Sequence, residues 1–226
     1  MAESGFQNAT RAILGHQTVA ADTPGVVTHT TNSTVQGQAV IATVRVTATS
    51  DLTRVQYVAQ AQTRIENETE NTTTVIAAND TSVRQYTVNA GNVTLDNRRE
   101  RTQLFDRALR GLSTATSPLQ GTFRRGNFTI TGVTDRGDTS LVTLHADRFA
   151  GGQLYSPQNV VAYNATIRLT TDGLVRSVTE RIAVQRNGRD GQYDFTYRFN
   201  ERPVDLPAAP QVPADIRTRS NATMNE

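Results

Sequence analysis

Histidine is the side chain that most readily serves both proton transfer and metal binding near neutral pH. The chain has three: His16, His29 and His145. They stand far apart, with no His-x-His or His-Glu-x-x-His spacing, so each reads as a structural or surface residue and no metal site is expected. Glu66, Glu68 and Glu70 place three carboxylates in a run of Asn and Thr. That setting reads as a solvated hairpin tip over residues 66–74 rather than an acid–base pair. No serine occupies a Gly-x-Ser-x-Gly elbow, and no glycine-rich phosphate loop occurs. The absence of cysteine excludes thiol catalysis, a thiolate zinc site and a disulfide framework. The expectation is a non-enzymatic chain with no catalytic residue and no cofactor.

Arginine is the other chemically distinctive residue. All 23 basic residues are arginine and none is lysine, which fits a high-GC genome or a salt-rich habitat. Arg98, Arg99 and Arg101, with Arg124 and Arg125, could attract phosphate or an anionic lipid headgroup. Nucleic acid is not an expected partner, because a basic stripe flanked by exposed aromatic stacking positions is missing. Arg136-Gly137-Asp138 has the form of an adhesion tripeptide, but Asp135 to Asp138 reads as an ordinary turn.

Asparagine carries a modification signal. Asn-x-Ser/Thr occurs at Asn8, Asn32, Asn67, Asn71, Asn79, Asn92, Asn127, Asn164 and Asn221. These are nine of fifteen asparagines, against about three expected by chance at this Ser and Thr content. The excess points to N-glycosylation on an extracellular or cell-surface protein.

The elements that would position these residues are mostly strands. Residues 5–22 read as a helix, ended by Pro24–Gly25. Val40, Ala42, Val44, Val46 and Ala48 alternate with polar residues, as do Val55, Tyr57, Ala59 and Ala61, which is the period of a strand with one buried face. Asn97 and Glu100 have capping-box spacing ahead of Leu104, Phe105, Ala108, Leu109 and Leu112, so a second helix is expected over 97–112, with Gly111 and Pro118 stopping it. Phe128 and Ile130 read as inward-facing. Val161 to Leu169 alternate, Asp172–Gly173 is a tight-hairpin signal, and Tyr193, Phe195, Tyr197 and Phe199 line one face of a last strand.

No stretch reaches the apolar length of a transmembrane helix. The expected architecture is α+β: a strongly curved antiparallel sheet, or half-barrel, with two helices on its concave side. A β-sandwich with peripheral helices is the alternative. Residues 1–202 are expected to form one domain, and residues 203–226, with Pro203, Pro207, Pro210 and Pro213, a tail lying over it.

Ala9 to His16, the hairpin Thr170 to Val178, and Tyr193 to Phe199 before a proline-containing tail together resemble haloarchaeal surface lipoproteins related to the LolA/LppX-like lipoprotein carrier fold. The resemblance implies carriage of a lipid acyl or isoprenoid chain, or another hydrophobic small molecule, in an apolar cavity walled by Val44, Tyr57, Leu104, Phe105, Tyr163, Ile167 and Phe195. It also implies a cell-surface location, with membrane anchoring only through a lipidated segment outside this numbering. A structural or interaction domain of an envelope glycoprotein, with envelope components as partners, stays open beside it. The chain departs from the family in lacking a lipidated cysteine and an acidic excess, its formal net charge being +2.

Overall fold

The computed structural model describes residues 9–35, 38–66, 68–89, 92–102, 117–151 and 155–216. A helix, α1 (Ala9–Ala21), precedes six strands: β1 (Gly25–Val35), β2 (Gln38–Ala48), β3 (Val55–Ile65), β4 (Glu68–Ala78), β5 (Ser82–Asn89) and β6 (Asn92–Glu100). A second helix, α2 (Ser117–Arg125), leads into β7 (Thr129–Asp135), β8 (Ser140–Ala146), a 3-10 turn at Pro157–Asn159, β9 (Val160–Thr170), β10 (Val175–Arg186) and β11 (Arg189–Glu201). All eleven strands form one antiparallel sheet, ordered β6-β5-β4-β3-β2-β1-β11-β10-β9-β8-β7. Within β1–β6 and within β7–β11 each strand pairs with its neighbours in sequence, and the β1–β11 pairing joins these two meanders.

This corrects the expected half-barrel and its sandwich alternative. The sheet is α+β in class, but it is open, neither closed nor strongly curled. Closure would require β6 and β7 to pair, and both carry features that oppose it. The β6 edge presents Asp96, Arg98, Arg99 and Glu100, whereas β7 is kinked by a register shift between Ile130 and Gly132.

The expected helix over 97–112 is also corrected at its start. Asn97 to Glu100 belong to β6, where Arg98 and Arg99 pair with Arg84 and Val83. Leu104, Phe105 and Leu109 lie outside the described residues. Pro118 lies in the first turn of α2, and the stretch it was expected to stop lies outside the described residues. Proline lacks only a donor that the first helical turn leaves unused, and its fixed φ suits that turn. The expected 66–74 tip is shorter than foreseen, since β4 begins at Glu68 and pairs with β3 to Ile65.

One face of the sheet is covered by the two helices. Tyr193, Phe195, Tyr197 and Phe199 of β11, Tyr163, Ala165 and Ile167 of β9, and Val178 and Ile182 of β10 are buried there with Ile13 of α1 and Leu119 and Phe123 of α2. Ile130, by contrast, is 67% exposed: it lies on the outermost strand, beyond the helical cover. The opposite face is polar over β9–β11 but not over β3–β5. There Val58, Val75 and Val88 form a second cluster with Val212 and Ile216, because the proline-rich segment after Glu201 folds back across those strands.

Candidate functional site

Beneath α2, three side chains converge on Glu180. This residue points from β10 into the helix-covered face and is 3% exposed. The Arg125 Nε donates to Glu180 Oε1 at 2.9 Å, and its Nη2 also donates to Oε2. The Thr122 hydroxyl donates to Oε2 at 2.8 Å and the Tyr163 hydroxyl to Oε1 at 3.0 Å. The Arg125 guanidinium lies 5.5 Å from the Tyr193 ring centroid, a cation–π contact. A carboxylate that has left water is tolerated only when it is paired and its lone pairs are filled, and here both oxygens are.

The electrostatics agree with that closure. Burial works against the Arg125 charge, yet its hydrogen bonds to Glu180 and that carboxylate's charge outweigh burial and raise its pKa. Burial, then the Glu180 charge, push the Tyr163 phenol far up, and burial moves Tyr193 up to about 12. Gly121 makes the geometry possible. A Cβ there would stand 2.1 Å from Arg125 Nη1, so a glycine in mid-helix leaves room for the guanidinium to fold back onto Glu180.

Two histidines occupy the same layer. His16 accepts from the Val175 backbone N–H at Nδ1 (3.1 Å), which places its proton on Nε2, 2.9 Å from the Tyr197 hydroxyl. This bond ties α1 to the turn end of β10. His29 stands opposite Val44 and Tyr197 in the ladder with its Nδ1 buried and without a hydrogen-bond partner. Burial alone lowers its pKa from 6.5 to about 4. His145, on the polar face, lies 3.4 Å from Thr166 Oγ1. Among the described residues no group of three or more His, Cys, Asp or Glu converges to hold a metal.

A cleft of about 500 Å³ opens where the β10–β11 hairpin meets the 3-10 turn. Val35, Val184 and Gly191 line it from the helix-covered side of the sheet, Tyr155 closes its inner end, and Arg186, Arg189 and Asp190 stand around it. The Tyr155 hydroxyl is hydrogen-bonded to Ser33, and burial raises its pKa.

The structure brings Tyr163, Ile167 and Phe195 into one buried cluster with Val44 and Tyr57 at its margin. Leu104 and Phe105 lie outside the described residues. Arg125 serves Glu180 rather than a phosphate, while Arg124 is exposed. Arg101 turns its guanidinium onto the carbonyls of Leu52, Thr53 and Asn79. Among the sequons, Asn71, Asn92 and Asn164 are exposed, Asn32, Asn79 and Asn127 are half-buried, and Asn8, Asn67 and Asn221 lie outside the described residues. Sequence reasoning misses the Glu180 cluster because the donors lie 17 to 58 residues from Glu180 along the chain. Two local signals do exist: a glutamate at an inward position of an alternating strand, and a glycine within a helix.

No protein-family model and no curated protein sequence matches the chain. Among solved structures, LprF from Mycobacterium bovis is similar over 90% of this chain and 98% of its own, at 15% identity and a TM-score of 0.39. A DUF1329 family protein from Desulfovibrio piger covers 88% of this chain and 95% of its own, at 8% identity and a TM-score of 0.28. A porin-like protein from Bacteroides uniformis covers 79% and 96%, at 12% identity and a TM-score of 0.24. Similarity this weak assigns neither a family nor a function.

Arg125→Met alone should cost about 3–5 kcal/mol, because it strands the buried Glu180 charge. Adding Glu180→Leu should recover most of that loss, and urea unfolding of the two single variants and the double variant gives the coupling. The folded state resists protonating His29, so its contribution is intact above pH 6.5, erodes as the pH falls and is exhausted near pH 4. The loss is on the order of 3 kcal/mol. His29→Leu should flatten this limb of the urea midpoint against pH. Asp51, held down to about 2 by hydrogen bonds from Thr49 and Thr53, acts only at lower pH.

Proposed function

We propose that the chain is a non-catalytic binding protein for an amphiphile, whose hydrocarbon portion lies against the apolar side of the sheet just beyond the helices and whose anionic head stays at the rim. The cleft over Val35, Val184 and Gly191 carries this reading. Its volume falls within the range of about 300–1,000 Å³ common to small-molecule sites. The cleft opens on the same face as the proposed wall positions Tyr163, Ile167 and Phe195, with Val44 and Tyr57 at the margin of that buried cluster. Arg186 and Arg189 are positioned for a carboxylate or phosphate head. An acyl or isoprenoid chain needs only a dry surface and gains about 0.8 kcal/mol per buried CH₂.

The polar cluster supports binding over catalysis. Both Glu180 oxygens are already taken by Arg125, Thr122 and Tyr163, and the carboxylate side chain is 0% exposed, so no substrate atom can approach it. Native mass spectrometry of gently purified protein, followed by solvent extraction, should find a co-purifying lipid. Gln158→Trp, at an exposed position of the cleft wall, should weaken binding of a fluorescent acyl probe at least several-fold, and joint Arg186→Glu and Arg189→Glu should do the same for an anionic probe only. Absence of a lipid together with unchanged probe binding would sink the reading.

A second reading, a surface domain of an envelope glycoprotein, is favoured by where the sequons fall. Asn32, Asn71 and Asn164 project from the face opposite the helices. Asn79 differs from them. Its Nδ2 donates to the Ala208 carbonyl at 3.0 Å and its Oδ1 accepts from the backbone N–H groups of Thr81 and Ser82, so a glycan there would break the contact with the tail. Intact-mass and glycopeptide analysis of protein from the native host should locate glycans at exposed sites such as Asn164 and none at Asn79. A bare polypeptide mass would remove this reading.

A further inference from the structure

The segment after β11 is held in an unusual way. It makes no β-ladder with the sheet. Side chains of β3–β5 and their flanking turns instead donate to its carbonyls: Gln56 to Gln211 at 3.3 Å, Asn79 to Ala208 at 3.0 Å, Arg84 and Tyr86 to Pro210 at 3.4 and 2.9 Å, and Arg54 to Leu206. Arg45 meets Asp215 at 3.0 Å and Arg54 meets Asp205 at 3.5 Å. Val212 and Ile216 are buried against Val58, Val75 and Val88, in a cluster separate from the one under the helices. Apolar anchors, side-chain donors aimed at carbonyls, and an arginine for each acidic residue are how a groove recognises an extended proline-containing ligand.

We propose that this groove is a receptor for the segment 203–216 and accepts it from a second copy of the chain, giving a reciprocally exchanged dimer. Every contact above is reproduced when two copies trade segments, so monomer and dimer differ mainly in the connection and in concentration. The connection suits exchange. Glu201, Arg202 and Pro203 are exposed, and the residue before a proline is biased to an extended backbone, so this connection can redirect without breaking a buried contact.

The absence of cysteine makes a clean test possible. Arg45 and Asp215 are both part-exposed, so cysteines at these sites disturb little. Full-length Arg45→Cys and full-length Asp215→Cys chains, unfolded together, refolded at high concentration and treated with a short bis-maleimide, should give a covalent heterodimer. Its yield should exceed by several-fold that of an Arg45→Cys and Gln185→Cys mixture, since Gln185 is exposed and far from the groove. A yield no higher than this control overturns the proposal. Sedimentation of the unsubstituted chain provides a check free of substitutions: refolding at high concentration should leave dimers that refolding at low concentration does not, and monomers under both conditions overturn the proposal as well.

Discussion

An open antiparallel sheet has two faces and two edges, and a chain of this size has little left over to cover them. Most of its described length is strand, so the coverings must be short and firmly attached. The central attachment is the buried pair between Arg125 and Glu180, which fixes α2 over the middle of the helix-covered face. Around it Thr122 and Tyr163 fill the remaining oxygen positions, and Tyr193 lies under the guanidinium. A hydrocarbon pair could supply similar burial. What the ion pair adds is a directional demand, which specifies where along β10 the helix sits.

The same economy holds elsewhere. The α1 helix is located by His16, which reads a backbone donor with one nitrogen and the Tyr197 hydroxyl with the other. The segment from Pro203 covers the back of β3–β5, and its carbonyls, lacking ladder partners, are met by Gln56, Asn79, Arg84 and Tyr86. In each case a polar group placed inside the protein is satisfied by a group far away in sequence, so folding and placement are one event. The cleft at the β10–β11 end lies beyond the helical cover, where the inward row of Val35, Gly191 and Val184 is left accessible.

Strands with one wet face are legible in the sequence itself. Tyr193 to Phe199 and Tyr163 to Leu169 alternate cleanly because solvent and core impose opposite demands on successive residues. Legibility fails where both faces are covered. In β3 the alternation assigns Tyr57 and Ala59 to the core, while Val58 on the other side proves more deeply buried, at 2% exposed. Asn97 and Glu100 show a second kind of failure: a capping-box spacing also fits an edge strand bristling with charge. Pro118 shows that one residue carries two messages, since a proline can stop one helix and start the next with equal chemical justification. The candidate site is the least legible part, because its polar cluster joins α2 to two strands and has no local spacing at all.

The two sheet edges are protected by different physics. At β6 the guard is a row of charges of both signs, Asp96, Arg98, Arg99 and Glu100, whose hydration discourages an approaching strand. At β7 the guard is a kink in the backbone at Ile130–Gly132. Charge is screened over roughly 10 Å at about 0.1 M salt and about 3 Å in molar salt. Shape is indifferent to ions. The β6 edge also carries a register shift at Asp96, so rising salinity removes only one of its two guards and leaves the shape of both edges in place.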